Sequence, residues 1–218
     1  LKRLPELQIE LFKMPIGKLP VNIGVKATAG RYIERILNTD PVEFLDAGKG
    51  EADISLAIDR VDLWGFATYD LAGTFIGSLY STGDLRAYLG VSTSLNVTPV
   101  KGWGIKLSYD YLKGFGASPY RFDALSEKNK LALSTSASFY GFTASASSGY
   151  DFIKLKYDSL SAGLGYKFED KYQADITAKL SLPDFGIQTI VGRLTISPIE
   201  EVSLKFGLEY NGSLNKIS

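Results

Sequence analysis

The chain has 218 residues, 24 basic and 24 acidic, with no His, no Cys and one Met. Thiolate nucleophiles, disulfides, thiolate zinc sites and imidazole bases are therefore excluded, and a formal net charge of zero argues against a surface built for a nucleic-acid backbone. No run of about 18 apolar residues occurs, which excludes a transmembrane helix, yet 13 Tyr and 12 Phe accompany a mean hydropathy of only +0.02.

Alternation with a period of two predicts strands through most of the chain. Residues 6–13 open the series, with Gln8 and Glu10 on the polar side, and 20–33 follow. The segment 34–50 lacks a clear period and is the one place where a short helix fits. Strands are expected at 51–60 and at 63–80, the latter long and without an internal turn signal. The next, 84–97, carries Arg86 on its polar side. In 102–113, Trp103, Ile105, Leu107, Tyr109 and Tyr111 alternate with Gly104, Lys106, Ser108 and Asp110. A long link, 113–129, precedes strands at 130–139, 141–153 and 159–168. In 172–182, Tyr172, Ala174, Ile176, Ala178 and Leu180 alternate with Gln173, Asp175, Thr177 and Lys179. Strands at 187–196 and 202–211 complete the series, the last alternating Leu204, Phe206 and Leu208 with Lys205, Gly207 and Glu209. Thr98-Pro99-Val100-Lys101-Gly102, Pro183-Asp184-Phe185-Gly186 and Ser197-Pro198-Ile199-Glu200-Glu201 are compact turn sequences, and Tyr140-Gly141 is tighter still.

These elements predict one all-β domain over 1–218, an antiparallel up-and-down transmembrane β-barrel of about 10–12 strands or part of a larger barrel. A soluble sandwich or barrel shows the same alternation with its apolar face inside. Three features favour lipid. Several strands reach about 10 residues, the length of a tilted membrane strand rather than of a globular one. Aromatic residues such as Trp103, Tyr109, Phe139, Tyr150, Phe168 and Tyr172 gather near strand ends, as in interfacial girdles. Small apolar-side residues, Ala27, Ala137, Ala144, Ala174 and Ala178 among them, would pack a soluble core poorly. An apolar face turned to lipid places Leu107, Leu180, Leu204 and Leu208 outside.

Lys106 and Asp110, Asp175 and Lys179, and Lys205 and Glu209 each lie four apart on a strand, hence on one face. These six are the candidate lumen-lining residues. The competing reading is a solvated interior whose charges neutralise each other. No catalytic motif appears, so no enzymatic activity, cofactor or catalytic metal is expected. Asp40, Glu43, Asp46 and Glu51 crowd what reads as one loop; a solvated acidic loop is favoured over a hard-cation site. The serines of 134–148 read as a small polar wall rather than as nucleophiles.

Arg3-Leu4-Pro5-Glu6-Leu7 resembles the "LPEL" opening of the barrel in LptD-type lipopolysaccharide-assembly proteins, also called organic-solvent-tolerance proteins. Tyr109-Asp110-Tyr111 followed by Gly116-Ala117-Ser118-Pro119-Tyr120-Arg121-Phe122-Asp123 is similar to the family's strand end and "G-x-SPF-x-F-D" loop. Ser148-Gly149-Tyr150-Asp151-Phe152 looks like its recurring "tgYDf" strand end. The resemblance implies a bacterial outer-membrane translocon that moves a lipopolysaccharide-type glycolipid to the outer leaflet through an opening between first and last strands. It also implies contact with membrane lipid, with a plug lipoprotein or with other barrel subunits, and none with nucleic acid. The family's barrel is far larger and carries a periplasmic jellyroll, so the chain is either a fragment of such a protein or a smaller barrel whose motifs coincide with the family's, and no gate residue carries over. Two alternatives stand beside it: a general diffusion porin, and a soluble β-protein that binds lipid.

Overall fold

The computed structural model describes residues 2–15, 20–36, 43–169, 171–199, 202–212, 214 and 216–217. Strand follows strand: β1 (Lys2–Pro15), β2 (Val21–Arg35), β3 (Phe44–Leu63), β4 (Ala67–Tyr80), β5 (Leu85–Val100), β6 (Trp103–Gly116), β7 (Lys128–Phe139), β8 (Phe142–Asp151), β9 (Lys156–Tyr157), β10 (Leu160–Phe168), β11 (Tyr172–Leu180), β12 (Ile187–Ile199), β13 (Val202–Asn211) and β14 (Lys216–Ile217). All belong to one antiparallel up-and-down sheet in which neighbours in sequence are neighbours in space, except that the two-residue β9 pairs with β8 off the main order. The expected all-β, up-and-down architecture is present, and β9 and β14 are additional short strands.

Two local expectations change. The region 34–50 is extended wherever it is described: β2 runs to Arg35 and β3 begins at Phe44, with full register from Val21↔Ile58 to Arg35↔Phe44. Residues 37–42, Asp40 among them, lie outside the described residues. The alternation was masked because β3 starts with small residues, Ala47, Gly48 and Gly50, on both faces. The predicted strand 63–80 is broken by a tight turn at Trp64-Gly65, both with positive φ (53° and 71°), the combination that matches strand twist in a two-residue hairpin. Tyr140-Gly141 makes the same turn (48° and 82°), as its sequence suggested, and Phe139 pairs directly with Phe142.

The chain packs as two compact units. One comprises Leu1–Val61, Tyr69–Thr93 and Asp110–Asn129; the other comprises Asp62–Thr68, Ser94–Tyr109 and Lys130–Ser218. They are called here the strapped unit and the serine unit. In both, the side chains sort by parity. Leu7, Ile9, Phe75 and Leu79 of the strapped unit are exposed on one face. In the serine unit Leu107, Leu204 and Leu208 are exposed, at 40%, 50% and 59%. The opposite face carries most of the charges, the Arg31–Asp46 pair of β2 and β3 being the exception. In the strapped unit that polar face also holds the only buried cluster among the described residues: Tyr32, Ala47, Tyr80 and Tyr120.

Candidate functional site

The site is built on β2 to β5 of the strapped unit and on the link 117–127 after β6. Gly116 launches the link at φ +76°, where any Cβ would run into the Leu85 carbonyl oxygen; only glycine meets both demands. The chain then turns back over the polar face. The Ala117 N–H donates to Leu85 O (3.0 Å). The Tyr120 hydroxyl lies 2.8 Å from Tyr32 O and 2.7 Å from Ala47 O and shares its proton between them. The Arg121 N–H donates to Glu34 Oε2 (2.8 Å). Rings of Tyr32, Tyr80 and Phe122 surround Tyr120, with centroids 6.1, 5.9 and 4.8 Å away. We call this segment the strap.

Asp123 is its anchor. Oδ1 accepts from Lys49 Nζ (2.9 Å) and faces Arg86 Nη2 at 3.5 Å. Oδ2 accepts from the Tyr80 hydroxyl (2.7 Å) and from Ser118 Oγ (3.1 Å). Its backbone carbonyl accepts from Arg86 Nη1 and from the Tyr88 hydroxyl (3.2 Å). Lys49 also meets Glu51 at 2.7 Å, and Ser78 Oγ donates to Glu51 (2.9 Å). Lys49, Arg86 and Asp123 side chains are all less than a tenth exposed. Gly114 makes room for this cluster: a Cβ there would sit 2.9 Å from the Tyr88 ring.

Burial alone would raise the Asp123 carboxyl pKa. The hydrogen bonds from Lys49 and Tyr80 and the charges of Lys49 and Arg86 outweigh it, holding the carboxyl below the ordinary aspartate value. Burial pushes the Tyr120 phenol up, so it stays a neutral donor. An ion cluster of this kind is costly to assemble but more costly to break, because a lone partner is left charged and dry. The arrangement is a positional lock.

The six sequence-derived candidates lie elsewhere on the polar parity. Asp110, on β6 in the strapped unit, accepts from Ser92 Oγ (2.7 Å), and Lys106 shares its strand and face in the serine unit. Asp175 accepts from Gln173 Nε2 (2.8 Å) and stands opposite Arg193. Lys179 faces Ser161 and Thr189, Lys205 faces Thr195, and Glu209 faces Val191. Asp175 and Lys179 on β11 and Lys205 and Glu209 on β13 thus flank β12, which places Arg193 between them. The wall beside them is small: Ser134 pairs with Ser147, Ser136 with Ser145, and Ser145 with Gly163. An open cavity of about 520 Å³ lies over Gly104, Ser136, Ser145, Gly163 and Thr177.

The acidic group expected in 40–51 is dispersed. Asp46 forms a two-pronged pair with Arg31 (2.7 and 2.9 Å), Glu51 belongs to the Lys49 cluster on the opposite face, and no metal-holding group of carboxylates occurs among the described residues. Lys49, Tyr80, Tyr88, Tyr120 and Asp123 lie outside the six candidates. Lys49-Gly50-Glu51-Ala52-Asp53-Ile54 carries the alternation that would have placed Lys49 on the polar face. The strap overlaps Gly116–Asp123, the stretch that resembles a "G-x-SPF-x-F-D" loop. Comparison with protein-family models and with curated proteins finds no match for the chain.

Proposed function

We propose that this chain forms all or part of a bacterial outer-membrane β-barrel that transports or inserts an amphipathic lipid, in its sharpest form a lipopolysaccharide-type glycolipid. The observation that carries the reading is the inverted sorting of side chains. Large apolar residues from β1 to β13 are exposed on one parity, while most ions and the phenols of the strap cluster meet on the other; the Arg31–Asp46 pair, toward the end of β2, is the exception. A soluble protein would hide Leu7, Leu164, Leu204 and Phe206, exposed at 66%, 66%, 50% and 57%, beneath a second layer. Most strands span 9–16 residues, enough to cross a bilayer at the usual tilt. The serine- and glycine-lined polar face of the serine unit suits a sliding polar headgroup, since it offers hydroxyls without deep charge traps. Membrane lipid is then the partner of the apolar face, and a plug lipoprotein or further barrel subunits are the partners of the assembled pore.

The strap favours one other reading. A loop folded onto the polar wall is also how a general diffusion porin narrows its lumen. Conductance in planar bilayers separates the two: steady open-channel current supports the porin, and near-silence with lipid-transfer activity supports the exporter. The membrane assignment itself is tested by a pair of substitutions on β13. Leu204→Lys places a charge in lipid at about 2–4 kcal/mol near the midplane and should block membrane assembly, whereas Lys205→Leu should assemble. The reverse pattern would make the soluble lipid-binding reading the better one.

A further inference from the structure

We propose that Lys49, Tyr80, Arg86 and Tyr88 form an oxyanion site for a phosphate group, and that Asp123 occupies it as a built-in, displaceable ligand. Asp123 presents three oxygens to these donors: Oδ1 to Lys49 and Arg86, Oδ2 to Tyr80, and its carbonyl to Arg86 and Tyr88. A phosphate monoester carries three terminal oxygens and suits the same donor set, with stronger charge-assisted bonds.

Arg86 supplies the second, independent sign. It is only 6% exposed, yet its Nε has no hydrogen-bond partner among the described residues. Its carboxylate contact is a single one at 3.5 Å, beyond good hydrogen-bond length, and its guanidinium rests 4.5 Å from the Tyr88 ring centroid. Guanidinium normally engages an oxyanion with two parallel N–H groups; here that capacity is unspent. With the strap lifted, Lys49 and Arg86 face only Glu51 in the cluster, leaving one positive charge and the donors of Tyr80 and Tyr88 unmatched. That is the balance a phosphate restores and a neutral sugar does not.

The consequence is competition. Phosphate enters only when Asp123 leaves, so ligand affinity is reduced by the fraction of time the strap is down, and ligand binding releases the strap. Use of this switch on a lipid cargo rests on the transport reading above; the binding does not, so the two fail separately.

The test uses the full chain in detergent micelles, with a spin label at Ala124→Cys, an exposed position beside the anchor in a protein with no other cysteine. Inorganic phosphate at constant ionic strength should mobilise the label, and chloride should not. Asp123→Asn should bind phosphate about tenfold more tightly by calorimetry, because the competing state is removed; Arg86→Gln should lose binding. Should Asp123→Asn fail to fold, Tyr80→Phe, which keeps the ring, should weaken phosphate binding severalfold. A parallel arm uses nanodiscs of phosphatidylcholine with and without phosphatidic acid. Mobilisation by inorganic phosphate assigns the site to free phosphate as well as to headgroups, and mobilisation by phosphatidic acid alone assigns it to a lipid headgroup. No response to either, binding unaffected by Arg86→Gln, or binding with the label still immobile would overturn the proposal.

Discussion

The strapped unit and the serine unit solve one problem in two ways. Each has an apolar parity that is exposed and a polar parity that must be hydrated or satisfied. In the strapped unit the polar face bears long ionic and phenolic side chains, Lys49, Arg86, Tyr32, Tyr80 and Tyr88, which reach far enough to bond a loop lying across them. In the serine unit the corresponding face from β7 to β10 bears Ser134, Ser136, Ser145, Ser147, Ser161 and Gly163, which cannot reach across an open space. On these strands the locked stretch bears long polar side chains and the open one bears short hydroxyls.

Removing the anchor should break this difference most strongly. Asp123→Ala leaves Arg86 buried without its carboxylate and Lys49 with Glu51 alone, and should lower stability by about 3–5 kcal/mol, read as a shift in the urea midpoint of tyrosine fluorescence. Gly116→Ala comes next: a left-handed non-glycine residue costs about 1–3 kcal/mol, and the Leu85 carbonyl blocks the new methyl group. Tyr120→Phe removes one shared donor from two buried carbonyls and should cost about 1–3 kcal/mol, with the strap more labile to limited proteolysis. Ser145→Ala in the serine unit is the control that sharpens the contrast, with an effect within about 0.5 kcal/mol.

Acid should act on the strapped unit in the same sense. Asp123 has a folded-state pKa below its ordinary value, so its contribution is present above about pH 4 and is lost as pH falls through the lower folded value. The strap should hold equally at pH 7 and pH 5 and loosen only in stronger acid, as followed by the mobility of a label at Ala124→Cys.

Period two made the strands legible, because alternation is a property of each strand alone. It placed the six charged candidates on one parity and Leu107, Leu180, Leu204 and Leu208 on the other, where Leu107, Leu204 and Leu208 are exposed and Leu180 is half-buried. It missed the Trp64-Gly65 turn, where a bulky residue adopts positive φ, and the start of β3, where glycines on one parity and Ala47 on the other blur the contrast. The strap was beyond its reach for a different reason. Lys49 and Asp123 are 74 residues apart, and Tyr120 bonds carbonyls 73 and 88 residues away. Such pairings follow from how strands stack into a sheet, and no local period encodes them.

The most direct test of the inverted sorting is a single-cysteine label walked along β13 from Val202 to Tyr210 in reconstituted bilayers, where lipid-soluble oxygen and a water-soluble nickel chelate report the surroundings of each position. Oxygen should relax labels at 204, 206 and 208 and the nickel chelate those at 203, 205, 207 and 209, a strict alternation. Loss of the alternation, or its reversal with 205 and 207 in lipid, would contradict an apolar face turned outward.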